Sequence, residues 1–168
     1  GMYLRDACKI IKEYGNVKNT DLSGNVEMPE AGHIVTDFIK NKDNLKNLQL
    51  FKVSAYAKCT DADAIKLALF NGSPVLASMY FSNYTINSKG EMEFDETSKR
   101  GLHGIMIYGW NKYGWLVQNS WGATFGNNGR CVVPYSHAVL EAWSFVDEKN
   151  GVQDYDTTSV PKFISIII

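Results

Sequence analysis

Residues 101–129 read GLHGIMIYGWNKYGWLVQNSWGATFGNNG, and this stretch decides the fold. Two apolar runs flank a short polar turn at residues 111–114, which predicts a β-hairpin. Because side chains alternate along a strand, each strand has one face that is apolar except for a single polar residue. The residues of these two faces are His103, Ile105, Ile107, Trp115, Val117 and Asn119. The pattern therefore predicts that His103 and Asn119 meet beside a row of core side chains.

The order of residues here resembles the second half of the papain-like cysteine peptidases, in their bacterial branch. The motifs that carry the resemblance are His103 with its apolar strand, W-L-V-x-N-S-W-G at 115–122, G-x-x-G at 126–129, G-R-C-V-V-P-Y at 129–135 and A-W-S-F at 142–145. In that family a histidine is the general base for a cysteine thiolate, and an asparagine orients the imidazole ring. The resemblance implies that His103 is the base and Asn119 its orienting partner, with Trp121 shielding their hydrogen bond from water.

The resemblance also implies the fold. We expect an α+β, papain-like fold that is truncated to a helical remnant and an antiparallel β-barrel-like domain. Residues 1–47 are assigned to the helical remnant and linker, 48–148 to the barrel-like domain with the His/Asn site, and 149–168 to a carboxy-terminal tail strand. No metal or organic cofactor is expected, because papain-like chemistry needs none and the sequence shows no ligand cluster.

One strand is expected to border the substrate cleft. The apolar run from Pro74 to Phe81 resembles the family strand whose side chains line that cleft. Ser78 on this strand, with Leu102 and Gly104 on either side of the histidine, is therefore expected to form the cleft wall. Residues 83–101 show little periodicity and are interpreted either as a solvated connection, which we favour, or as a loop that controls access to the histidine.

The nucleophile is the part of the family pattern that this sequence lacks. The family signature C-G-[SA]-C-[WY] lies near the mature amino terminus, with the histidine and asparagine roughly 130 to 150 residues downstream. Cys8 is the only early cysteine, and its neighbours include neither a flanking aromatic residue nor a preceding glutamine for an oxyanion hole. Met2 has the character of a natural initiator, in which case the chain would start beyond the nucleophile.

Three functional hypotheses remain open. The first is a pseudopeptidase that binds a peptide or protein partner through the remaining cleft. The second is the carboxy-terminal part of an active cysteine peptidase, with the cysteine supplied by a missing segment or another chain. The third is a hydrolase that uses Cys8 or a hydroxyl nucleophile after rearrangement. We expect the first, because without a thiolate there is no covalent intermediate.

Helical periodicity predicts two helices. Apolar residues at i, i+3, i+4 and i+7 predict a helix over Tyr3–Tyr14, and Cys8 falls on its apolar stripe as a small buried residue. A second helix is predicted to begin at Thr60 or Asp61 and to continue to Phe70. Its inward residues are predicted to be Ala62, Ile65 and Leu69.

Other segments carry weaker patterns. A strand is predicted over Leu50–Ala57, with Phe51, Val53 and Ala55 facing inward. Residues 16–30 are predicted to be a loop, 34–40 a short helix and 40–47 a solvated linker. The segment 160–168 is β-prone, either closing a sheet edge or inviting association through it.

We interpret the three cysteines and His33 as residues without a chemical role. Three cysteines without paired spacing argue against a disulfide framework. Cys131 is predicted to lie in the core and Cys59 to be partly exposed. His33 stands alone, so it is interpreted as a surface or capping residue and not as a metal ligand.

Composition excludes several classes of partner. The chain has 168 residues, a formal net charge of −1 and 21% charged residues, which is typical of a single soluble domain. It shows no basic stripe for nucleic acid, no membrane-spanning run and no signal peptide, so a cytoplasmic location is expected. Loss of the family's central helix would expose apolar surface, so we also expect a homodimer or a segment-exchanged oligomer.

Overall fold

The structure is a computed structural model that describes residues 2–13, 52–95 and 97–147. These residues contain two helices and eight strands in this order: α1 Leu4–Glu13, β1 Val53–Lys58, α2 Ala62–Phe70, β2 Val75–Phe81, β3 Tyr84–Ile86, β4 Met92–Phe94, β5 Gly101–Trp110, β6 Gly114–Gln118, β7 Arg130–Pro134 and β8 Val139–Asp147. The predicted loop at 16–30, His33, the helix at 34–40, the linker at 40–47 and the tail at 149–168 lie outside the described residues.

Six strands form one antiparallel sheet in the order β1-β8-β2-β5-β6-β7. The strands β3 and β4 form a separate hairpin. Within the described residues β1 and β7 are the two edges of the large sheet, so the sheet does not close into a barrel. This arrangement confirms the predicted α+β class with an antiparallel sheet.

The two faces of the sheet are covered by different elements. One face packs against α2 and the β3–β4 hairpin in the main core, which contains Val75, Ala77, Met79, Ile105, Ile107, Trp115, Val117 and Val133. The other face carries α1 on Leu76 in a smaller cluster with Leu4, Ala7 and Cys8. Because successive residues of β2 point to opposite faces, Leu76 and Ala77 belong to different clusters. The sheet is therefore buried on both sides along β2.

The predicted apolar stripe of α1 is confirmed. Leu4, Ala7 and Cys8 are buried, and Cys8 is fully inaccessible to solvent. The thiol therefore fills space as a small apolar side chain.

The second helix begins and ends largely as predicted. The side chain of Asp61 accepts a hydrogen bond from the backbone N–H of Ala64 at 2.8 Å, which identifies Asp61 as the N-cap. Ile65 is buried, as predicted, but Ala62 is exposed. The contacts with the core are centred on Ala64, Ile65, Ala68 and Leu69, so Ala62 lies at the flank of the apolar stripe.

Two predictions about the strand β1 and its end are wrong. The pairing of β1 with β8 shifts register between Val53 and Ala55, so Ala55 is exposed and Tyr56 turns inward. Tyr56 packs edge-on against Trp143, with 5.7 Å between the ring centroids. Cys59 is buried and not partly exposed, because its backbone N–H pairs with the Ala142 carbonyl and keeps this end of the chain on β8.

The segment 83–101 is more regular than the favoured interpretation of a solvated connection. It contains the β3–β4 hairpin, in which Met92 is only 1% exposed. Strands of three residues are too short to produce a periodic signal. The hairpin packs on the face of the sheet that carries His103.

Candidate active site

The hairpin of β5 and β6 brings His103 and Asn119 together. His103 lies near the start of β5, and Asn119 directly follows β6. These strands are antiparallel neighbours, with Ile107 opposite Val117. The Nε2 atom of His103 lies 2.8 Å from Oδ1 of Asn119.

The hydrogen bonds of Asn119 define the tautomer of the histidine. The backbone N–H of Ser120 donates to Oδ1 of Asn119 at 2.8 Å, so this atom is the amide oxygen, an acceptor. Nε2 of His103 must then carry the proton and donate it to the same oxygen. In the neutral ring Nδ1 is left with a free lone pair. Nδ1 is therefore the atom that can accept a proton.

The surroundings of His103 favour its neutral form. Burial lowers the pKa of His103 below its ordinary value, and the hydrogen bond to Asn119 opposes this shift without cancelling it. Desolvation disfavours the charged imidazolium, whereas the amide oxygen stabilises it. The described site therefore presents a neutral imidazole near pH 7.

Aromatic rings surround the histidine. The indole of Trp121 lies with its centroid 4.6 Å from that of the His103 ring, and Phe81 lies 4.8 Å away on an edge. Trp121 in turn stacks on Tyr84 at 5.6 Å and meets Phe125 edge-on at 5.2 Å. Trp121 therefore lies where the sequence predicts a shielding residue, and the shielding role itself stays a prediction.

Sequence reasoning missed part of this aromatic set. Phe81 lies two residues after Met79 on β2, so the two side chains share a face. Because Met79 is paired with His103, the strand pattern could have placed Phe81 on the face of the histidine. His137 lies in a turn without periodicity, and no such signal exists for it. Its ring stacks on Phe94 at 4.0 Å between centroids, and Nε2 donates to the Tyr80 carbonyl. The Phe81 ring lies between the two histidines.

The predicted cleft-wall residues lie together, on the other face of the same strands. Ser78 is paired with Gly104, and Leu102 is paired with Tyr80, whereas His103 is paired with Met79. Residues adjacent along a strand point to opposite faces. The wall residues therefore flank the histidine without sharing its face, and Leu102 is 68% exposed. Their contact with a substrate stays a prediction.

None of the three thiols is placed to work with His103. All three cysteines of the sequence are buried and free. Burial raises the pKa of Cys8 and of Cys131 to about 12, and it also raises the pKa of Cys59. A protonated thiol is a poor nucleophile. Among the described residues, the hydrogen-bond partner of the His103 ring is Asn119 and not a sulfur atom.

One polar atom of the site lacks a partner. Nδ2 of Asn119 is buried and makes no hydrogen bond within the described part of the chain. Leaving such a donor unpaired costs about 1–3 kcal/mol. The site as described thus holds an amide donor for which it offers no acceptor.

The described ranges hold neither a cluster of metal ligands nor a membrane-spanning helix. They contain no group of three His, Cys, Asp or Glu side chains that could hold a metal ion. Neither helix among them has the length and apolar character needed to cross a membrane.

Comparison with known proteins decides the family. The profile described as papain family cysteine protease matches residues 1–139 of this chain. The chain belongs to the papain family of cysteine proteases. A curated member, the gut-specific cysteine proteinase of Caenorhabditis elegans, is 36% identical over an alignment of 85 residues that covers 47% of this chain and 26% of the nematode protein.

Solved structures of papain-family proteins show the same fold. Xylellain, a cysteine protease from Xylella fastidiosa, superposes with a TM-score of 0.65 at 17% identity, covering 89% of this chain and 63% of xylellain. Procathepsin B S9 from Trypanosoma congolense gives a TM-score of 0.60 at 16% identity, covering 88% of this chain and 54% of the other. The chain thus spans about a quarter of the curated relative and a little over half of these papain-like structures.

Proposed function

We propose that this chain carries the histidine–asparagine half of a papain-family site and that, by itself, it binds a peptide or protein segment without hydrolysing it. The observation that carries the proposal is a preorganised His103–Asn119 pair beside which the chain places no thiolate. His103 has the geometry of a base, with a free Nδ1. Among the described residues, no cysteine is a hydrogen-bond partner of the His103 ring, which supports the proposal.

The chemistry open to the pair is proton transfer to and from Nδ1 of His103. A thiol placed at Nδ1 would give up its proton to the ring and become a thiolate beside an imidazolium. The oxygen of Asn119 accepts the Nε2 hydrogen bond in both states and keeps the ring in place. The pair can therefore activate a nucleophile, but it cannot form the acyl intermediate itself.

Exposed apolar residues near the histidine support the binding part of the proposal. Leu102 and Tyr80 are paired across β5 and β2, and both are exposed, at 68% and 43%. Ser78 and Gly104 continue this face without large side chains. A shallow apolar strip of this kind suits an extended peptide with an apolar side chain.

Peptide binding is tested with two matched substitutions. Leu102→Asp places a charge on the strip, whereas Leu67→Asp makes the same change at a residue of α2 that is 61% exposed. We expect Leu102→Asp to weaken the binding of a fluorescent ten-residue apolar peptide by about tenfold, and Leu67→Asp to leave it unchanged. Equal affinities for the two variants would refute this binding surface.

Inactivity is tested with the same chain. A fluorogenic dipeptide substrate should be hydrolysed no faster by the purified chain than by His103→Ala. Hydrolysis that disappears in His103→Ala would show that a nucleophile of this chain works with the histidine. The third hypothesis, with Cys8 or a hydroxyl group as nucleophile, would then replace the proposal.

The second candidate is an active peptidase whose cysteine comes from another segment or another chain. Two observations favour it: the hydrogen-bonded pair of His103 and Asn119 is in place, and Nδ2 of Asn119 lacks an acceptor among the described residues. The intact mass and sequence of the protein captured from its source would test it. Additional sequence with a cysteine followed by an aromatic residue would make His103 and Asn119 two members of a working triad.

A second copy of the chain is the protein partner that we propose for the same strip. The apolar residues exposed there could be covered by self-association, through a dimer or an exchanged segment. Light scattering at tens of micromolar should then give twice the monomer mass, and Leu102→Asp should reduce it. A monomer under these conditions would contradict the oligomer.

A further inference from the structure

Gln118 lies at the point where the sheet passes into the loop that carries the site. It is the last residue of β6, and Asn119 follows it directly. Residues 119–129, here called the site loop, then lead to β7. Gln118 is paired with Met106 on β5 and with Arg130 on β7, on the face opposite to Val117. Its side chain therefore reaches the site loop from the side away from the imidazole.

The side-chain amide of Gln118 connects the two ends of the site loop. Nε2 donates to the Asn119 carbonyl at 3.1 Å and to the Gly129 carbonyl at 3.0 Å. The backbone N–H of Asn119 also donates to the Gly129 carbonyl, at 2.8 Å. Both backbone groups of Asn119 are thus held at the place where the two ends of the site loop meet, here called its neck.

Arg130 fixes the orientation of this amide. Its Nε donates to Oε1 of Gln118 at 3.0 Å. Because an arginine can only donate and a carbonyl can only accept, the amide has one orientation that satisfies every contact. The guanidinium group also lies over the Tyr108 ring, 5.6 Å from its centroid. The arginine is therefore held on two sides.

Gly129 leaves the space that the amide occupies. A Cβ atom at this position would lie 2.6 Å from Nε2 of Gln118, and the backbone has a φ of +81°. Both features favour glycine. The site loop is therefore shaped around the Gln118 side chain.

We propose that Gln118 is a positioning residue that closes the neck of the site loop and so holds Asn119 where it orients His103. Asn119 Oδ1 and the imidazole are joined by a single hydrogen bond, so a small displacement of the Asn119 backbone changes its length and angle. The inference deepens the proposed function, on which it rests only for the role of His103 as a base.

The experiment compares two variants of one hairpin. Gln118→Met keeps the length of the side chain and removes its donors. Asn111→Ala is the matched control, because it removes a side-chain oxygen that accepts hydrogen bonds from the backbone N–H groups of Tyr113 and Gly114, at the opposite end of β5 and β6. The readout is the exchange rate of the His103 Nε2 proton with water, measured by ¹⁵N NMR of the imidazole. His137 in the same spectrum is the internal reference.

In Gln118→Met we expect the His103 proton to exchange about five to ten times faster, the Boltzmann factor of one weakened hydrogen bond. Exchange at His137, and exchange at His103 in Asn111→Ala, should stay as in the unmodified chain. Equal exchange at His103 in Gln118→Met and Asn111→Ala, compared at equal distance below their melting temperatures, would overturn the proposal.

A second variant, Gln118→Glu, tests the proposal independently if Gln118→Met does not fold. Gln118→Glu keeps the acceptor for Arg130 but sets an oxygen against the carbonyls of Asn119 and Gly129, so it should also speed exchange at His103. Exchange at the unmodified rate in this variant would equally refute the positioning role. The measurement needs no thiolate and no substrate, so failure here is distinguishable from failure of the peptide-binding tests.

Discussion

Gly114 leaves no room for a side chain beside the backbone of β7, so Gly114→Ala should be strongly destabilising. A Cβ atom at this position would overlap the Val133 carbonyl oxygen and would lie 2.9 Å from the Pro134 Cα. Non-bonded heavy atoms are normally about 3.5 Å apart. The atoms in the way belong to the backbone of β7 and not to a flexible side chain, so the strands β6 and β7 must move apart.

The size of the effect follows from these contacts. Overpacking costs about 1–3 kcal/mol, and separating β6 from β7 at this point weakens the neighbouring ladder hydrogen bonds between the two strands, worth about 1 kcal/mol each. We therefore expect Gly114→Ala to lower the free energy of unfolding by about 3 kcal/mol. For a domain of this size that corresponds to a fall in melting temperature of about 6–12 °C.

Gly101→Ala is the control, because it makes the same change on the same hairpin. Gly101 begins β5, and an added Cβ meets nothing within 4 Å there. Its effect should be within about 1 kcal/mol, since the alanine restricts the unfolded chain without a steric cost. Urea unfolding of the two variants measures the difference. Equal stabilities would refute the proposed close approach of β6 and β7, and with it the register that places Asn119.

Three further predictions concern the core, the histidine and the thiols. Ile107→Ala should cost about 2–5 kcal/mol because Ile107 is fully buried, whereas Leu67→Ala on exposed α2 should change stability by less than about 0.5 kcal/mol in the same urea assay. The folded state holds the pKa of His103 below its ordinary value. As the pH falls, the unfolded chain therefore binds a proton at this residue at a higher pH than the folded chain does. Stability should therefore be unaffected above about pH 6.5 and fall as the pH drops from there toward the folded-state pKa. The stability advantage of the unmodified chain over His103→Gln should accordingly be smaller at about pH 5.5 than at about pH 7.5, and an equal advantage at both would contradict the lowered pKa. The three cysteines should react with iodoacetamide only on unfolding, so rapid labelling of the native chain, read by mass spectrometry, would contradict their burial and raised pKa values.

The sequence predicts the elements that bear the chemistry because their signals are local. The hairpin around Asn111 has two long alternating runs and a polar turn, so its two strands and the face of each strand that carries the polar residue follow from residues next to each other in the chain. Bringing His103 to Asn119 also needs a shift of register between Ile107 and Gly109, because the Trp110–Trp115 pairing continued without it would put Asn119 opposite Met106, on the other face. The apolar stripe of α1 is equally local, and it is correct down to the burial of Cys8.

The failures have non-local causes. Ala55 is exposed because β1 shifts register against β8, a strand about ninety residues away, and no local pattern contains that shift. Cys59 is buried by its pairing with Ala142 of the same distant strand. The ring stacking of His137 on Phe94 likewise depends on where two separate segments meet. Each error arises where a tertiary contact overrides local alternation.

The His103–Asn119 pair can stay ordered without a nucleophile, because the hydrogen bonds of Asn119 also hold the site loop in place. The oxygen of Asn119 accepts from Ser120 and His103, its backbone N–H pairs with Gly129, and its carbonyl is held by Gln118. Removing any of these contacts leaves buried polar groups unpaired, each at a cost of about 1–3 kcal/mol. The geometry of His103 and Asn119 is therefore explained by the stability of the site loop, without any appeal to catalysis. An ordered pair alone is not proof of hydrolysis, and the decisive variable is whether a thiolate reaches Nδ1 of His103.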